Sequence, residues 1–270
     1  MRHLYDLLQP ERLTSVVDVG ANPIDGSPPY SRMLEEGLCT VVGFDPQMSG
    51  TPRQGVTYLP NVVGSGRQSV LHTCVMPGMT SLLPPAPDYL KRFPGFPEWA
   101  QVVERREVET TRLDDIVEIP HIDLLCMDVQ GAESAVIASG RRKLRHTAAV
   151  ITEVSFMPLY GGQPTFGEID HELRAHDFVP HCFAAAKVWP LATKTAVPKL
   201  DPHQLLEADM VYIKDTSLPI EVEQTKHLAM IAHHVCGSFD LAMLCVEQLT
   251  DRGVLPASAP MQYRQMLEVL

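Results

Sequence analysis

Short apolar runs, each closed by a small or acidic residue, recur along the chain up to residue 213, separated by stretches with helical spacing. Runs at 15–19, 40–44 and 56–59 read as strands, with a helix at about 30–36 between the first two. That is a βαβ opening. The alternation then breaks: 69–75 and 105–111 have strand character around a proline-rich stretch at 76–99, which predicts a β insertion carrying a long loop. It resumes with a strand at 122–127 that is apolar except for Asp123, a helix from Gly131 to about Ser139, and a strand at 148–154. A helix follows at 166–176 with apolar Phe166, Ile169 and Leu173, then strands at 178–184 and 209–213, with 187–208 read as a loop. From Glu221 the pattern becomes helical: Leu228, Ile231 and Val235 form one stripe, Leu241, Leu244 and Cys245 a second, with Gly237 between them and Gly253 after the second. The expectation is an α/β domain over residues 1–215 and a C-terminal helical appendage over 216–270.

The chemistry gathers at strand ends. Val16-Val17-Asp18-Val19-Gly20-Ala21-Asn22 runs from an apolar strand into a turn whose glycine and alanine leave room for a ligand. A second strand ends in Asp45, which suits a ribose diol. No G-x-G-x-x-G follows; the chain continues Pro23-Ile24-Asp25-Gly26, and an acid before the glycine repels a diphosphate but suits an ammonium or sulfonium. Cofactor-binding candidates are therefore Asp18, Gly20, Ala21, Asn22 and Asp45, joined by Asn61 and Val62 after the third strand and by Asp128 at the end of the 122–127 strand. Asp128 has three readings: holding a cationic group, binding a metal, or acting as a base. A neighbouring sulfonium would lower its pKa and weaken it as a base, so it is assigned to positioning in the active site. Glu153 ends the next strand; it is the first candidate for a substrate-facing or basic residue, against the reading of a structural carboxylate. His181 either completes the pocket or packs, and Tyr160-Gly161-Gly162 is a substrate-contacting or a plain turn. The 76–99 stretch, with its prolines and aromatic residues, is either a substrate lid or a packed connection. His171 and His176 stand five apart, off one helical face, so no metal site is expected.

Taken in order, these blocks, with Leu113-Asp114-Asp115-Ile116, Ile122 through Glu133 and Glu153-Val154-Ser155-Phe156, resemble the FkbM family of S-adenosylmethionine-dependent methyltransferases. The resemblance implies a Rossmann-like, seven-stranded class I sheet with one antiparallel edge strand, and methylation of oxygen on hydroxyls of sugars or polyketide-derived metabolites. It places Asp18, Gly20 and Asn22 on the first cofactor motif, Asp45 on the ribose-binding acid, and Asp128 with Glu133 on the motif after the fourth strand. The chain departs from the family pattern at Pro23-Ile24-Asp25-Gly26 and Pro28-Pro29, and in carrying Cys126 and Gln130 where a lysine and a glutamate are usual.

Charge narrows the partners. With 22 basic and 33 acidic residues in 270 the net charge is -11, which disfavours nucleic acid and anionic membranes and leaves a small-molecule or glycan acceptor. No window approaches a membrane span, and residues 1–13 read as a short amphipathic helix without the apolar run of a signal peptide. Six scattered cysteines without a C-x-x-C pair suggest buried thiols in a cytoplasmic setting. The C-terminal helices are candidates for packing or homo-oligomer contacts. Two other functions compete with the methyltransferase: a non-catalytic cofactor-binding protein on the same scaffold and a nucleotide-dependent oxidoreductase, the latter disfavoured by the missing phosphate loop.

Overall fold

The computed structural model describes residues 3–21, 27–45, 53–195, 197 and 202–268. Strands β1 (Thr14–Val19), β2 (Cys39–Phe44), β3 (Val56–Leu59), β7 (Leu124–Met127), β8 (Ala149–Ser155), β9 (Phe178–Trp189) and β10 (Gln204–Lys214) form one sheet in the order β3-β2-β1-β7-β8-β10-β9. β10 alone runs antiparallel to its neighbours β8 and β9, so the reversed strand lies one place inside the edge strand β9 and not at the edge as expected. A second sheet of β4 (Val62–Val63), β6 (Val102–Thr111) and β5 (Gln68–Cys74) is the expected β insertion.

Helices cover both faces of the large sheet, which is why its central strands are apolar throughout. On one face Val16, Val41, Leu124, Ile151, Val211 and Ile213 pack against α1 (His3–Leu8), α2 (Ser31–Glu35), α8 (Val222–Ile231), α9 (Phe239–Asp251) and α10 (Ala259–Leu267). On the other, Val17, Leu125, Val150, Val154 and Tyr212 pack against α5 (Glu133–Ser139), α6 (Arg141–Leu144) and α7 (Phe166–Arg174). The segment expected as one long loop at 76–99 instead holds a 3₁₀ turn at Pro77–Met79 and two helical turns, α3 (Pro87–Leu90) and α4 (Phe96–Trp99). They close a separate aromatic core in which Phe96 and Trp99 meet Trp189 edge-on at 5.2 and 5.8 Å.

The stretch 187–208, expected as a loop, is partly strand. β9 and β10 extend past the sheet as a two-stranded ribbon, with Lys187 opposite Glu207 and Trp189 opposite Gln204. Proline and lysine obscured this in the sequence, because the pairing that stabilises the ribbon comes from across the strands. No helix among the described residues is long and apolar enough to cross a membrane.

Candidate active site

The C-terminal ends of β1, β2, β7 and β8 converge on one edge of the sheet. The turn after β1 is tied to β2: the amides of Gly20 and Ala21 both donate to the carbonyl of Phe44, at 2.8 and 3.0 Å. Gly20 has φ +97°, and a Cβ there would stand 1.9 Å from the carbonyl oxygen of Asp128. The glycine is therefore needed for the close approach of β7's end, a steric role that the turn's sequence hid behind ligand clearance. Asp128 closes the junction by donating its amide to Val19 at 3.0 Å.

Around Asp128 the chain turns sharply, with Gln130 at φ +52° and Gly131 at φ +96°. Buried Glu133 stabilises this loop: its Oε1 accepts the amides of Val129 (3.1 Å) and Gly131 (3.2 Å). Burial, with the nearby Asp128, still pushes the Glu133 carboxyl up to about 7. Asp18 accepts the Tyr30 hydroxyl at 2.6 Å, linking β1 to the start of α2, and burial pushes its carboxyl up to about 6.

Gln130 is the hub. Its amide nitrogen donates to Asp128 Oδ1 at 2.6 Å and to Glu153 Oε2 at 3.2 Å, while its oxygen accepts the buried Tyr160 hydroxyl at 2.9 Å. On the far side of Glu153, the Lys187 ammonium donates to Oε1 at 2.5 Å, reaching in from β9. Burial opposes the Lys187 charge, but Glu153, Asp128 and Glu207 outweigh it and hold its pKa above the ordinary lysine value. Glu153 is pushed well up, first by burial and then by the charges of Asp128 and Glu207.

Two adjoining recesses open here and share Gly20 and Asp128. The first, with about 760 Å³ of empty space including its mouth, is lined by Asp45, Asn61 and Val62, with Thr80 and Ser81 from the insertion opposite. The second, about 950 Å³ on the same measure, is lined by Asp18, Ala21, Arg53, Glu153 and Asp209. The sequence-derived candidates therefore fall on both: Gly20, Asp45, Asn61, Val62 and Asp128 on the first, Asp18, Ala21 and Glu153 on the second. Asn22 and the neighbouring Pro23 to Gly26 lie outside the described residues. Asn61 is tied to Thr111, whose hydroxyl accepts its amide at 3.2 Å.

Gln130, Lys187 and Glu207 were not singled out by their sequence setting as site residues; Gln130 was noted only as a departure from the family pattern. Tyr160 was marked within its turn and proves to support Gln130. His181 stands 2.9 Å from the Ser238 hydroxyl and joins β9 to the start of α9. Among the described residues no group of three or more His, Cys, Asp or Glu side chains is arranged to hold a metal ion.

The donor set fits a nucleoside carrying a cationic tail. Acids stand at the ends of three neighbouring strands, Asp18, Asp45 and Asp128, and a carboxylate-lined crevice attracts an ammonium or sulfonium where it would repel a diphosphate.

A mostly parallel seven-stranded sheet with its single reversed strand, β10, between β8 and β9, and a two-part crevice at its carboxyl edge, defines a Rossmann-like α/β protein built to hold a ligand there. The chain belongs to the FkbM methyltransferase family: the family's Methyltransferase FkbM domain matches residues 18–180. It is similar to the 2-O-methyltransferase NoeI of Sinorhizobium fredii (strain NBRC 101917 / NGR234), at 46% identity over 69 residues, which are 24% of this chain and 28% of that protein. Among solved structures it matches the precorrin-6y C5,15-methyltransferase of Geobacter metallireducens GS-15 with a TM-score of 0.37 and 13% identity, covering 78% of this chain and 85% of that one.

Proposed function

We propose that this methyltransferase uses S-adenosylmethionine to methylate a hydroxyl of a sugar, a glycan or a polyketide-like metabolite. The observation that carries this reading is the pair of recesses meeting at Gly20 and Asp128, one with the nucleoside-type residues and the other with the buried Glu153. The 2-O specificity named for the Sinorhizobium relative supports oxygen as the acceptor atom.

In this reading Asp45 takes the ribose diol, with Asn61, Val62 and the Gly20 backbone lining the nucleoside recess. Asp18, with Ala21, faces the cationic methionyl end. Bound S-adenosylmethionine supplies an electrophilic methyl group. The protein's part is to hold the acceptor oxygen in line and within roughly 3–3.5 Å of that carbon, which is where most of the rate enhancement in such a displacement originates. Asp128, clamped by Gln130, orients the acceptor, and Glu153 receives its hydroxyl proton. Thr80 and Ser81 wall the first recess.

Isothermal titration with S-adenosylmethionine, followed by mass analysis of a sugar and polyketide acceptor panel, tests the assignment. Saturable binding and a single added methyl on oxygen are expected. An intact fold that binds none of the cofactor overturns it, and binding without transfer to any acceptor assigns the chain to the non-catalytic alternative.

A further inference from the structure

Behind Glu153 lies a second buried carboxyl that the methyl-transfer reading leaves unused. Glu207 on β10 is 6% exposed, and its Oε1 has no hydrogen-bond partner. In the strand register it stands opposite Ser155 on β8 and opposite Lys187 on β9, while Glu153 stands opposite Asp209. Glu153 and Glu207 are thus diagonal neighbours on one face of the sheet, and the two carboxyls lie within hydrogen-bonding reach of each other. The ionisable groups facing them are Asp128 from the loop after β7, Tyr160 from the turn after β8, Lys187 from β9 and Asp209 from β10.

One ammonium cannot compensate three carboxylates in a buried site. Two adjacent carboxylates there also leave each other without a donor, whereas a single proton lets one carboxyl donate to the other. Which carboxyl keeps the proton follows from the contacts. Glu153 accepts from both Lys187 and Gln130, two donors that stabilise its charged form, while Glu207 has an orphaned oxygen.

We propose that Glu207 is a positioning residue that stays protonated and donates a hydrogen bond to Glu153, keeping Glu153 ionised and aimed into the second recess as the proton acceptor. The inference rests on the reading of Glu153 as the base. In the transfer step the acceptor O–H bond breaks and its proton goes to a Glu153 oxygen. The electron pair left on the acceptor oxygen forms the bond to the methyl carbon, and the methyl–sulfur pair stays on sulfur; Glu207 keeps its proton throughout. Burial raises both carboxyls, Glu207 to about 7, in keeping with one proton held by the pair near neutral pH; the donors on Glu153 are what leave it on Glu207.

Infrared difference spectra of the unliganded protein at pH 7 test this without turnover: wild type minus E207Q should contain the carbonyl stretch of one protonated carboxylic acid. Kinetically, Glu207→Ala should lower kcat about tenfold at unchanged cofactor affinity, the loss of one buried donor. Glu207→Gln, which keeps a donor, should restore most of that rate and abolish the inflection near pH 7 in the kcat profile. Absence of the carboxylic-acid band, or equal loss in the Ala and Gln variants with the inflection intact, overturns the proposal. Glu153→Gln separates the two ideas: if it keeps full activity the base assignment fails, while the infrared result still reports whether Glu207 is protonated.

Discussion

Asp18 is a carboxyl whose burial costs the fold stability, and the proposed cofactor role would account for it. Its pKa is raised from 3.8 to about 6 by burial, so between those values the folded chain binds a proton that the unfolded chain has released. Stability contributed by the neutral acid is complete below about pH 4 and lost as pH rises to about 6; the two-unit difference corresponds to about 3 kcal/mol. Asp18→Asn is therefore expected to raise the melting temperature at pH 8 and flatten the stability profile between pH 4 and 6. The same variant should weaken S-adenosylmethionine binding by about tenfold or more by removing a partner of its cation. Denaturant melts across pH and calorimetric titration check the two halves separately. At Gly20 the constraint is steric: Gly20→Ala sets a Cβ against the Asp128 carbonyl at positive φ, and loss of cooperative unfolding or of cofactor binding is expected in a circular dichroism melt and titration. Acids such as Asp45, Asp128 and Glu153 were legible in the sequence because each closes an apolar run. Lys187 and Glu207 were not, because the register of β8, β10 and β9 brings them to Glu153, and Gln130 was not, because its partners Glu153 and Tyr160 are distant in the chain; no local pattern encodes either.

At the scale of elements, the short apolar runs of the buried strands were readable, and so was the helical spacing of 221 onward. The ends of β9 and β10 were not. Ala185 and Ala186 are exposed and have little intrinsic preference for a strand, so pairing with β10 decides their conformation. The reason for that ribbon lies in the insertion. Trp189 at its tip packs on Phe96 and Trp99, and the same aromatic core includes Tyr160, whose hydroxyl meets Gln130. This core joins the 76–100 segment to the site, making it a packed wall at the tip and a cleft lining at Thr80 and Ser81. Trp189→Ala should cost about 1–3 kcal/mol, less than for a fully buried aromatic because Trp189 is only partly buried. Hydrogen exchange should then rise over 76–100 ahead of the large sheet, with acceptor KM increasing more than cofactor Kd. Uniform exchange across the whole chain would show instead that the ribbon is part of one cooperative unit.

Across the whole molecule, the change of pattern near residue 215 marks a change of architecture, and a separate question is whether the two parts are energetically separable. Leu228, Ile231, Leu241, Cys245, Val246 and Leu249 share one continuous core with Val16, Val41, Ile151 and Val211 of the sheet. His227 adds a polar tie at the opposite end from the site, its Nδ1 3.1 Å from the Thr14 hydroxyl. Each large apolar side chain stripped of such cover forfeits about 1.5–3 kcal/mol, whereas a domain's entire stability is about 5–15 kcal/mol. Six such losses amount to about 9–18 kcal/mol, comparable with a domain's entire stability, before the bared sheet face is considered. A chain ending at residue 215 is therefore expected to show no cooperative thermal transition, to bind a dye specific for exposed apolar surface, and to lose cofactor binding although every candidate site residue is retained. A sharp melt with intact binding in that truncated chain would establish the helices as a dispensable appendage and leave partner contacts as the reason for their apolar stripes.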